Sequence, residues 1–318
     1  MHALYPKIKP NRCEVINIGE QRIYVEESGS PQGIPVIYLH GGPGGGSSPE
    51  HRRYFNPEKY RIIVFDQRGS GKSKPHATTI NNTTQHLIDD MEEIRDYFGI
   101  DKWLVAGGSW GTTLALAYGI KHSDKVLGFI LRGIFLGTDE EVNWLYGKDG
   151  AAGIYPDHYQ DFLVPIANQK FADPVMAYHQ VLSSNNEIAK VAAAKAWTLW
   201  ETRISALYID KHDLNSPEET HEAIAMASIE NHYFVNKCFM EPDYLIKNIN
   251  LVADKPAFII HGRYDMVCQV KQAYLLANKW TNAQLQIIPR AGHSGFETGI
   301  IDAICRASDK MADFIENQ

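Results

Sequence analysis

The sequence predicts an α/β protein: a mostly parallel sheet flanked by helices, with a helical cap domain inserted into the chain. Short β-rich runs alternate with helical patterns towards both ends of the chain, which is typical of a parallel sheet covered by helices. Between about Ile134 and Pro242 this alternation stops, and the pattern becomes helix-like and rich in Trp, Tyr and His. The middle of the chain is therefore predicted to interrupt a single α/β unit.

The first strands are predicted from three stretches. Residues 14–27 form two β-rich runs about a turn near Gly19, and residues 36–39 and 61–65 are nearly all apolar. Continuous apolar runs are expected of strands that are buried on both faces of a sheet.

The first long helix is predicted over residues 85–98, where four apolar residues recur at helical spacing: Leu87, Met91, Ile94 and Phe98. The remaining predicted elements are, in order, a strand at 103–106, a helix at 110–121, strands at 126–131 and 257–260, a helix at 269–280, a strand at 284–288 and a closing helix to about residue 315. This order predicts one α/β domain made of residues 1–134 and 243–318, with residues 135–242 as the cap.

Charge and hydropathy exclude several functional classes. The chain has 31 basic and 38 acidic side chains, a net charge of -7, and its acidic residues are scattered. Phosphate-backbone binding requires clustered positive charge, so we expect no nucleic-acid partner. The apolar runs are a handful of residues long, far short of the roughly 18 that a membrane span needs, so we expect no membrane association.

The N-terminus has neither the charged start nor the apolar stretch of a signal peptide, which favours a cytoplasmic location. The four cysteines lie far apart and show no Cys-x-x-Cys spacing: Cys13, Cys238, Cys268 and Cys305. Reduced thiols are therefore expected rather than disulfides or a zinc site. The sequence does not predict the oligomeric state.

Residues 107–111 read Gly-Gly-Ser-Trp-Gly, which has the form G-x-S-x-G and lies between a predicted strand and a predicted helix. A sharp turn of this kind leaves no room for side chains two residues before and after the serine, and it raises the hydroxyl at the start of the helix. We therefore interpret Ser109 as a nucleophile. The alternative is a tight strand-to-helix turn without catalytic function.

A serine hydroxyl needs a base, and the base needs a carboxylate to fix its tautomer. His293 lies in a loop just after the last predicted strand, and Asp265 follows the strand before it. The chain order Ser109, Asp265, His293 is that of the α/β-hydrolases, so we predict these three residues as a catalytic triad.

The oxyanion formed during acyl transfer needs two backbone donors. The residue after the nucleophile, Trp110, supplies one N–H, and the glycine-rich loop 40–46 supplies the other, for which we choose Gly42. A phosphate-binding function for this loop is disfavoured, because no Lys-Ser/Thr pair follows it and the G-x-G-x-x-G spacing is absent.

Four motifs together resemble the prolyl aminopeptidases (proline iminopeptidases), a family of α/β-hydrolases. They are His-Gly-Gly-Pro-Gly-Gly-Gly at 40–46, Asp-Gln-Arg-Gly-Ser-Gly-Lys-Ser at 66–73, the serine motif at 107–111, and His-Gly-Arg-Tyr-Asp at 261–265. The resemblance implies an α/β-hydrolase fold, release of N-terminal proline from peptides, and no metal or organic cofactor. It also implies Ser109, Asp265 and His293 as the triad, and Gly42 with Trp110 as the oxyanion hole.

Two cap glutamates lie on apolar helical stripes. Glu201 is in line with Ala194, Trp197 and Ile204, and Glu230 is in line with four apolar residues, Ala223, Met226, Ala227 and Phe234. A buried carboxylate is costly unless a cation or several donors meet it. The cation could be the free ammonium of a peptide or a cap arginine such as Arg203, or each glutamate could lie in water at the edge of its stripe. Residues 197–201 and 229–234 resemble the family's two amine-binding stretches, which implies that Glu201 and Glu230 bind the substrate amine.

The resemblance also implies a proline pocket. Phe135 and Tyr146 match the family's pocket positions, although residues 137–140 depart from the family pattern. Cap aromatics are otherwise more often part of a core. Cys268 matches a cysteine near the substrate in the family, but Gln269 stands where the family usually has proline, and a buried thiol needs no function.

The sequence thus predicts a serine aminopeptidase that releases N-terminal proline from short peptides through an acyl-enzyme. The alternative is an ester or amide hydrolase that uses the same triad on a neutral small molecule, to which the cap glutamates would offer nothing. Fold alone does not fix function, so a non-catalytic binding protein of the same fold is a further alternative. The complete triad and the oxyanion loop argue against it.

Overall fold

The computed structural model describes residues 2–169, 173–208 and 216–317. Eight strands form one sheet with the order β1-β2-β4-β3-β5-β6-β7-β8. The strands are β1 Arg12–Ile18, β2 Gln21–Gly29, β3 Ile34–Leu39, β4 Tyr60–Phe65, β5 Trp103–Ser109, β6 Val126–Ile134, β7 Ala257–Gly262 and β8 Ala283–Ile288.

Strand direction divides the sheet into two parts. β1 pairs antiparallel with β2, and β2 pairs antiparallel with β4. All other neighbours, from β4 through to β8, pair in parallel. Because parallel strands end at the same edge of a sheet, the loops that follow β3, β5, β6, β7 and β8 meet there, where ligands bind in open α/β sheets.

Ten α-helices accompany the sheet in the part of the chain that the structure describes. They are α1 Thr84–Tyr97, α2 Trp110–Lys121, α3 Asp139–Tyr146, α4 Pro156–Leu163, α5 Pro174–Leu182, α6 Glu187–Ser205, α7 Pro217–Val235, α8 Tyr244–Asn248, α9 Val270–Lys279 and α10 Thr298–Glu316. The predicted fold class is confirmed. Every predicted strand and helix outside the cap is present, with ends that differ by a few residues.

Two differences from the prediction have simple causes. β5 and β6 continue three residues further than expected, to Ser109 and Ile134, because these two central strands stay paired up to the turn at Ser109. β8 alternates between half-buried and exposed positions along most of its length. It is an edge strand with one neighbour, so its exposed positions face solvent.

The core lies on both faces of the sheet. Along β3, Ile37 and Leu39 face a cluster that includes residues of α1, α2 and the cap, whereas Val36 and Tyr38 face a cluster built with α10. This alternation of side chains explains why β3 is apolar at every buried position.

Helices α3 to α7 lie within residues 135–242, and no strand occurs among the residues of this segment that the structure describes. Trp197 and Trp200 of α6 are almost completely buried, and they belong to the same apolar cluster as the helices on one face of the sheet. The predicted cap is thus helical and packs on the sheet-bearing part of the chain. Its exact limits stay a prediction, since α8 follows residue 242 directly and is also helical.

Within residues 2–169, 173–208 and 216–317, every helix is too short or too polar to cross a bilayer.

The turn between β5 and α2 is packed tightly against β3. A Cβ atom at Gly111 would lie 2.2 Å from the carbonyl oxygen of Leu39. We expect Gly111→Ala to lower the free energy of unfolding by about 1 to 3 kcal/mol, the range typical of overpacked sites, in urea denaturation.

Gly153→Ala is the matched control, because a Cβ atom there would meet no heavy atom within 4 Å. Its effect should stay within about 0.5 kcal/mol, as for most surface substitutions. Equal stability of the two variants would contradict the tight packing of the turn.

Candidate active site

Ser109 occupies the turn between β5 and α2. Its backbone has φ 57° and ψ -127°, a conformation that costs energy for a residue with a side chain. A Cβ atom at Gly107 would lie 2.6 Å from the carbonyl oxygen of Gly111, so the turn closes only with glycine at this position. The Thr112 hydroxyl donates to the Ser109 carbonyl at 2.7 Å and fixes the first turn of α2.

Asp265 and His293 are brought together by the loops after β7 and β8. His293 Nδ1 donates to Asp265 Oδ2 at 2.8 Å, and the other carboxylate oxygen accepts the backbone N–H groups of Val267 at 3.0 Å and Cys268 at 2.7 Å. Burial alone would raise the pKa of Asp265, but His293, His261 and these N–H groups hold it below its usual value. The carboxylate is therefore charged and orients the imidazole.

A second histidine, His261 at the end of β7, also faces Asp265. Its Nε2 donates to the Cys268 carbonyl at 2.8 Å and lies 3.3 Å from Asp265 Oδ2, while Nδ1 accepts the Ile134 N–H at 3.1 Å. Burial lowers the pKa of His261, so this imidazole is neutral and ties the ends of β6 and β7 to the Asp265 loop. The sequence motif at 261–265 contained His261, but nothing in the pattern predicted this contact.

Arg132 in β6 lies beside His293 and was not predicted. Its Nη1 donates to the His293 carbonyl at 2.8 Å and lies 3.3 Å from His293 Nε2. A Cβ atom at Gly108 would collide with this guanidinium, at 2.1 Å from Nη2. The sequence signal for Arg132 was a charged residue near the end of a central strand, which alone does not identify a site residue.

No hydrogen bond joins Ser109 to His293 in the part of the chain that the structure describes. The Ser109 hydroxyl lies instead beside the buried thiol of Cys268. Gly41, in the loop after β3, lies against the serine, since a Cβ atom there would be 3.2 Å from Ser109 Cβ. The predicted triad residues thus share one site, in which the Ser109 hydroxyl is not bonded to His293; catalytic hydrogen bonds are often long before substrate binds.

The glycine-rich loop 40–46 runs between Ser109 and α7. Gly42 has φ 111°, and a Cβ atom there would lie 2.6 Å from the Gly44 nitrogen and 3.2 Å from the sulfur of Met226. Glu230 lies four residues after Met226 on α7, about 6 Å further along the helix axis. Helix α7 therefore brings a carboxylate close to the glycine loop.

Glu201 of α6 and Glu230 of α7 face each other in the cap. Their carboxyl groups hydrogen-bond, and the Tyr146 hydroxyl donates to both, at 3.4 Å from Glu230. The Trp197 indole donates to Glu230 at 2.7 Å. Glu230 is 2% exposed, whereas Glu201 is half-buried, so the apolar stripe turns Glu230 fully inwards and leaves Glu201 partly open to solvent.

No basic side chain forms an ion pair with either glutamate within the described residues. Arg203, the arginine that the sequence offered as a partner, binds Asp161 at 2.7 Å instead. Burial, followed by the charge of Glu201, raises the pKa of Glu230 well above its usual value. Burial and the two carboxylates likewise raise the pKa of Tyr146. Among the described residues, hydrogen-bond donors but no cation meet the two carboxyl groups.

A chain of packed aromatic rings runs from the glutamates towards the serine turn. The Tyr146 ring stacks on Trp197 with 4.2 Å between centroids, and Phe234 lies 5.8 Å from both Tyr146 and Phe135. The backbone of Phe135 is hydrogen-bonded to threonine hydroxyls of α2. Its N–H donates to Thr112 Oγ1 at 3.0 Å, and its carbonyl accepts the Thr113 hydroxyl at 2.7 Å. Phe135 and Tyr146 thus belong to one apolar wall between Ser109 and the carboxylate pair.

The cap also contacts the loop of the predicted base. The Ser205 carbonyl, at the end of α6, accepts the backbone N–H groups of His293 at 2.6 Å and Ser294 at 2.8 Å. Because the last carbonyls of a helix have no partner within the helix, they are available for such contacts. Helix α6 therefore carries Glu201 at one position and holds the His293 loop one turn later.

Comparison with known proteins identifies the family of the chain. The sequence model of the α/β-hydrolase fold family matches residues 34–300 of this chain. The proline iminopeptidase of Xanthomonas citri is 46% identical over 98% of this chain and 100% of its own length, and that of Arabidopsis thaliana is 45% identical over 97% and 82%. The chain belongs to the proline iminopeptidase family of α/β-hydrolases. The resemblance seen in the four motifs is confirmed.

Solved structures with lower identity share the fold of the family. The proline iminopeptidase of Mycobacterium smegmatis superimposes with a TM-score of 0.60 at 15% identity, over 96% of this chain and all of the other. A bacterial membrane phospholipase A gives a TM-score of 0.63 at 15% identity, over 96% and 87%. Both comparisons support the fold. The roles of individual site residues stay predictions.

Glu230 should make the stability of the protein depend on pH. Because folding raises the pKa of Glu230, the folded state holds this proton more tightly than the unfolded chain. Stability is therefore lost as the pH rises from the usual glutamate pKa towards the raised value. We expect Glu230→Gln to gain stability relative to the parent as the pH rises from about 4.3, the usual glutamate pKa, to neutrality.

The measurement is urea denaturation of both proteins across this pH range. Glu222→Gln on the same helix is the control, because Glu222 is exposed and its replacement should leave the pH dependence unchanged. Parallel stability curves for Glu230→Gln and the parent would show that Glu230 ionises normally in the folded protein.

Proposed function

We propose that this chain is a serine aminopeptidase that releases N-terminal proline from short peptides through an acyl-enzyme intermediate. The observation that carries the proposal is the pairing of the buried Glu230 with the half-buried Glu201, which have no cationic partner among the described residues and are linked towards the serine turn by contiguous aromatic rings. The names of the full-length relatives, which are 41–46% identical proline iminopeptidases, point to the same activity.

The proposed acylation gives each predicted site residue one role. Ser109 Oγ attacks the carbonyl carbon of the first residue, and its proton moves to Nε2 of His293, whose tautomer is fixed by Asp265. The negative charge that develops on the carbonyl oxygen is stabilised by the N–H groups of Gly42 and Trp110. His293 then protonates the leaving amine, the C–N bond breaks, and the rest of the peptide departs.

Deacylation reverses the roles with water as the nucleophile. His293 takes a proton from the water molecule, the hydroxide adds to the prolyl ester of Ser109, and the oxyanion is bound as before. Collapse of this second intermediate returns the proton to Ser109 and releases proline. No step in this sequence draws on a metal or organic cofactor.

Substrate selection is assigned to the cap, residues 135–242, and catalysis to residues 1–134 and 243–318. The protonated amine of an N-terminal proline supplies the positive charge that Glu201 and Glu230 require, and Tyr146 directs their oxygens. The pyrrolidine ring contacts the apolar wall of Phe135 and Tyr146.

Cys268, beside Ser109, borders the bound residue in this proposal without taking part in the reaction. The cytoplasmic location stays a prediction.

An ester or amide hydrolase acting on a neutral substrate is the less favoured function. It would use the same triad, but it would leave the buried carboxyl group of Glu230 and the half-buried one of Glu201 with neither a cation nor a ligand. Burying charged groups without compensation is costly. The glutamate pair therefore favours a substrate with a free amine.

The nucleophile can be tested directly. Ser109→Ala should leave a folded protein whose turnover of proline p-nitroanilide is lower by on the order of 10⁶-fold, as in other triad enzymes. His293→Ala should lose a similar factor. Steady-state kinetics with circular dichroism as the folding control provides the measurement, and full activity of a folded Ser109→Ala variant would exclude the serine mechanism.

The cap glutamates can be tested by comparing two substrates. Glu201→Gln and Glu230→Gln preserve size and shape but remove charge, so kcat/KM for proline p-nitroanilide should fall by a factor that corresponds to roughly 2 to 5 kcal/mol, the effect of truncating a buried charge pair. Hydrolysis of p-nitrophenyl acetate should change little, because this ester has no amine. The parent should cleave N-acetylproline p-nitroanilide very poorly.

Glu218→Gln, an exposed position in the first turn of α7, is the control variant and should behave like the parent on both substrates. If Glu201→Gln and Glu230→Gln both kept parental activity on proline p-nitroanilide, the glutamates would be structural. The neutral-substrate hydrolase would then be the better interpretation.

A further inference from the structure

The motif at residues 66–73 has no part in the mechanism described above, yet one of its side chains connects both halves of the oxyanion hole. We propose that Gln67 is a positioning residue that sets the separation of the two oxyanion donors, the N–H groups of Gly42 and Trp110. This inference rests on the proposed triad chemistry, although it does not depend on the identity of the substrate.

The side-chain amide of Gln67 is bonded at both ends. Its Oε1 accepts the Trp110 indole N–H at 2.9 Å, and its Nε2 donates to the His40 carbonyl at 2.9 Å. An indole N–H only donates and a carbonyl only accepts, so this arrangement fixes which end of the amide faces which partner. The amide thus bridges the residue that starts α2 and the residue that starts the glycine-rich loop.

Gln67 is itself held firmly. Its backbone N–H donates to His40 Nε2 at 3.0 Å, and its carbonyl accepts the Ser70 hydroxyl at 2.6 Å. His40 Nδ1 donates in turn to the Gly41 carbonyl at 2.9 Å, and burial lowers the pKa of His40 so that the ring stays neutral. Gln67, His40 and Ser70 are each 1% exposed or less. Such a closed network of buried hydrogen bonds has little freedom to shift.

The other end of the bridge is rigid as well. Trp110 is completely buried, and its ring packs edge-on against Tyr233 with 4.8 Å between centroids. The backbone N–H of Trp110 is one predicted oxyanion donor, and Gly42, the other, lies two residues after His40. A shortened or lost Gln67 bridge would therefore change the distance between the donors without removing either of them.

The chemical consequence should appear in the transition state. Oxyanion donors act only when they lie within about 2.7–3.1 Å of the developing charge, and a displacement of about 1 Å is costly. The neutral carbonyl of the bound substrate gains much less from the same donors. Loss of the bridge should therefore lower kcat and leave KM nearly unchanged, whereas a purely structural glutamine would affect stability alone.

The test uses Gln67→Met, which preserves length but removes both hydrogen bonds, and Trp110→Phe, which preserves the backbone donor but removes the indole. Gln21→Met is the matched control. Gln21 is 3% exposed, donates to the Ile80 carbonyl at 3.3 Å and has no hydrogen bond to the site. Thermal unfolding of all variants separates loss of stability from loss of catalysis.

We expect kcat for proline p-nitroanilide to fall roughly 10- to 100-fold in Gln67→Met, less than the 10²- to 10³-fold loss that follows removal of a whole donor. KM should stay within about two-fold. The double variant Gln67→Met/Trp110→Phe should have a kcat only slightly below that of the less active single variant, because both substitutions break the same bridge. Gln21→Met should retain parental kcat even if its melting temperature falls.

A second measurement needs no turnover. Phenylboronic acid adds to a serine hydroxyl as a tetrahedral anion, so its affinity reports the oxyanion hole, and titration calorimetry should show the same 10- to 100-fold loss in Gln67→Met. Proline, whose carboxyl carbon is trigonal and forms no adduct with the serine, should bind the parent and this variant equally. Unchanged kcat and boronate affinity in a folded Gln67→Met variant would overturn the proposal, as would an equal loss in Gln21→Met.

Failure of the proposed function would give a different result. A parent that cleaves p-nitrophenyl acetate but no proline amide would refute the aminopeptidase assignment, and the Gln67 comparison would proceed on the ester. A parent that binds no boronate and cleaves neither substrate would overturn both proposals.

Discussion

A buried carboxyl group, that of Glu230, beside the half-buried one of Glu201 imposes the main constraint on this molecule. Glu201 and Glu230 share hydrogen bonds with Tyr146 and with each other, and Trp197 donates to Glu230, but no basic side chain of the described chain neutralises them. Such a pair is tolerated in a folded protein because donors meet its oxygens and because a raised pKa keeps a proton on it. A cation bound beside the pair would stabilise its negative charge. The organisation of the cap is consistent with this requirement.

The helices that carry these glutamates also contact the reaction centre. Helix α6 ends at Ser205, whose carbonyl holds the backbone of the His293 loop, and α7 places Met226 against the glycine-rich loop. A substrate amine bound between the helices therefore lies at a fixed distance from the serine turn and the oxyanion loop. This geometry suits an enzyme that measures one residue from the amino terminus of its substrate.

Much of the fold and part of the site follow from local sequence. The strands and helices of the α/β unit were predictable because apolar periodicity reports which faces are buried, and the turn at Ser109 was predictable because its glycines satisfy steric limits set by near neighbours. Asp265 and His293 follow the ends of adjacent parallel strands, so their proximity could be expected from topology. The apolar stripes placed Glu201 and Glu230 on core-facing helix positions but left open whether they are buried or lie at the solvent edge; Glu230 is buried and Glu201 is half-buried.

Other contacts depend on tertiary structure that no local pattern encodes. Arg203 was an available partner for Glu201, but it binds Asp161 on the neighbouring helix α4. Arg132, His261 and Gln67 are single polar residues in or after strands, and only the packed sheet shows that they contact His293, Asp265 and Trp110. The orientation of Ser109 towards Cys268 is a side-chain property of the same kind.

The central claim is that the glutamate pair exchanges its proton for the charged amine of the substrate. Titration calorimetry of the Ser109→Ala variant with proline amide, repeated at pH 6 in buffers of different ionisation enthalpy, measures the protons released on binding. Because the pKa of Glu230 is raised, the account predicts release of up to one proton with proline amide, and little or no binding of N-acetylproline amide. Equal binding of the two amides without proton release would contradict it.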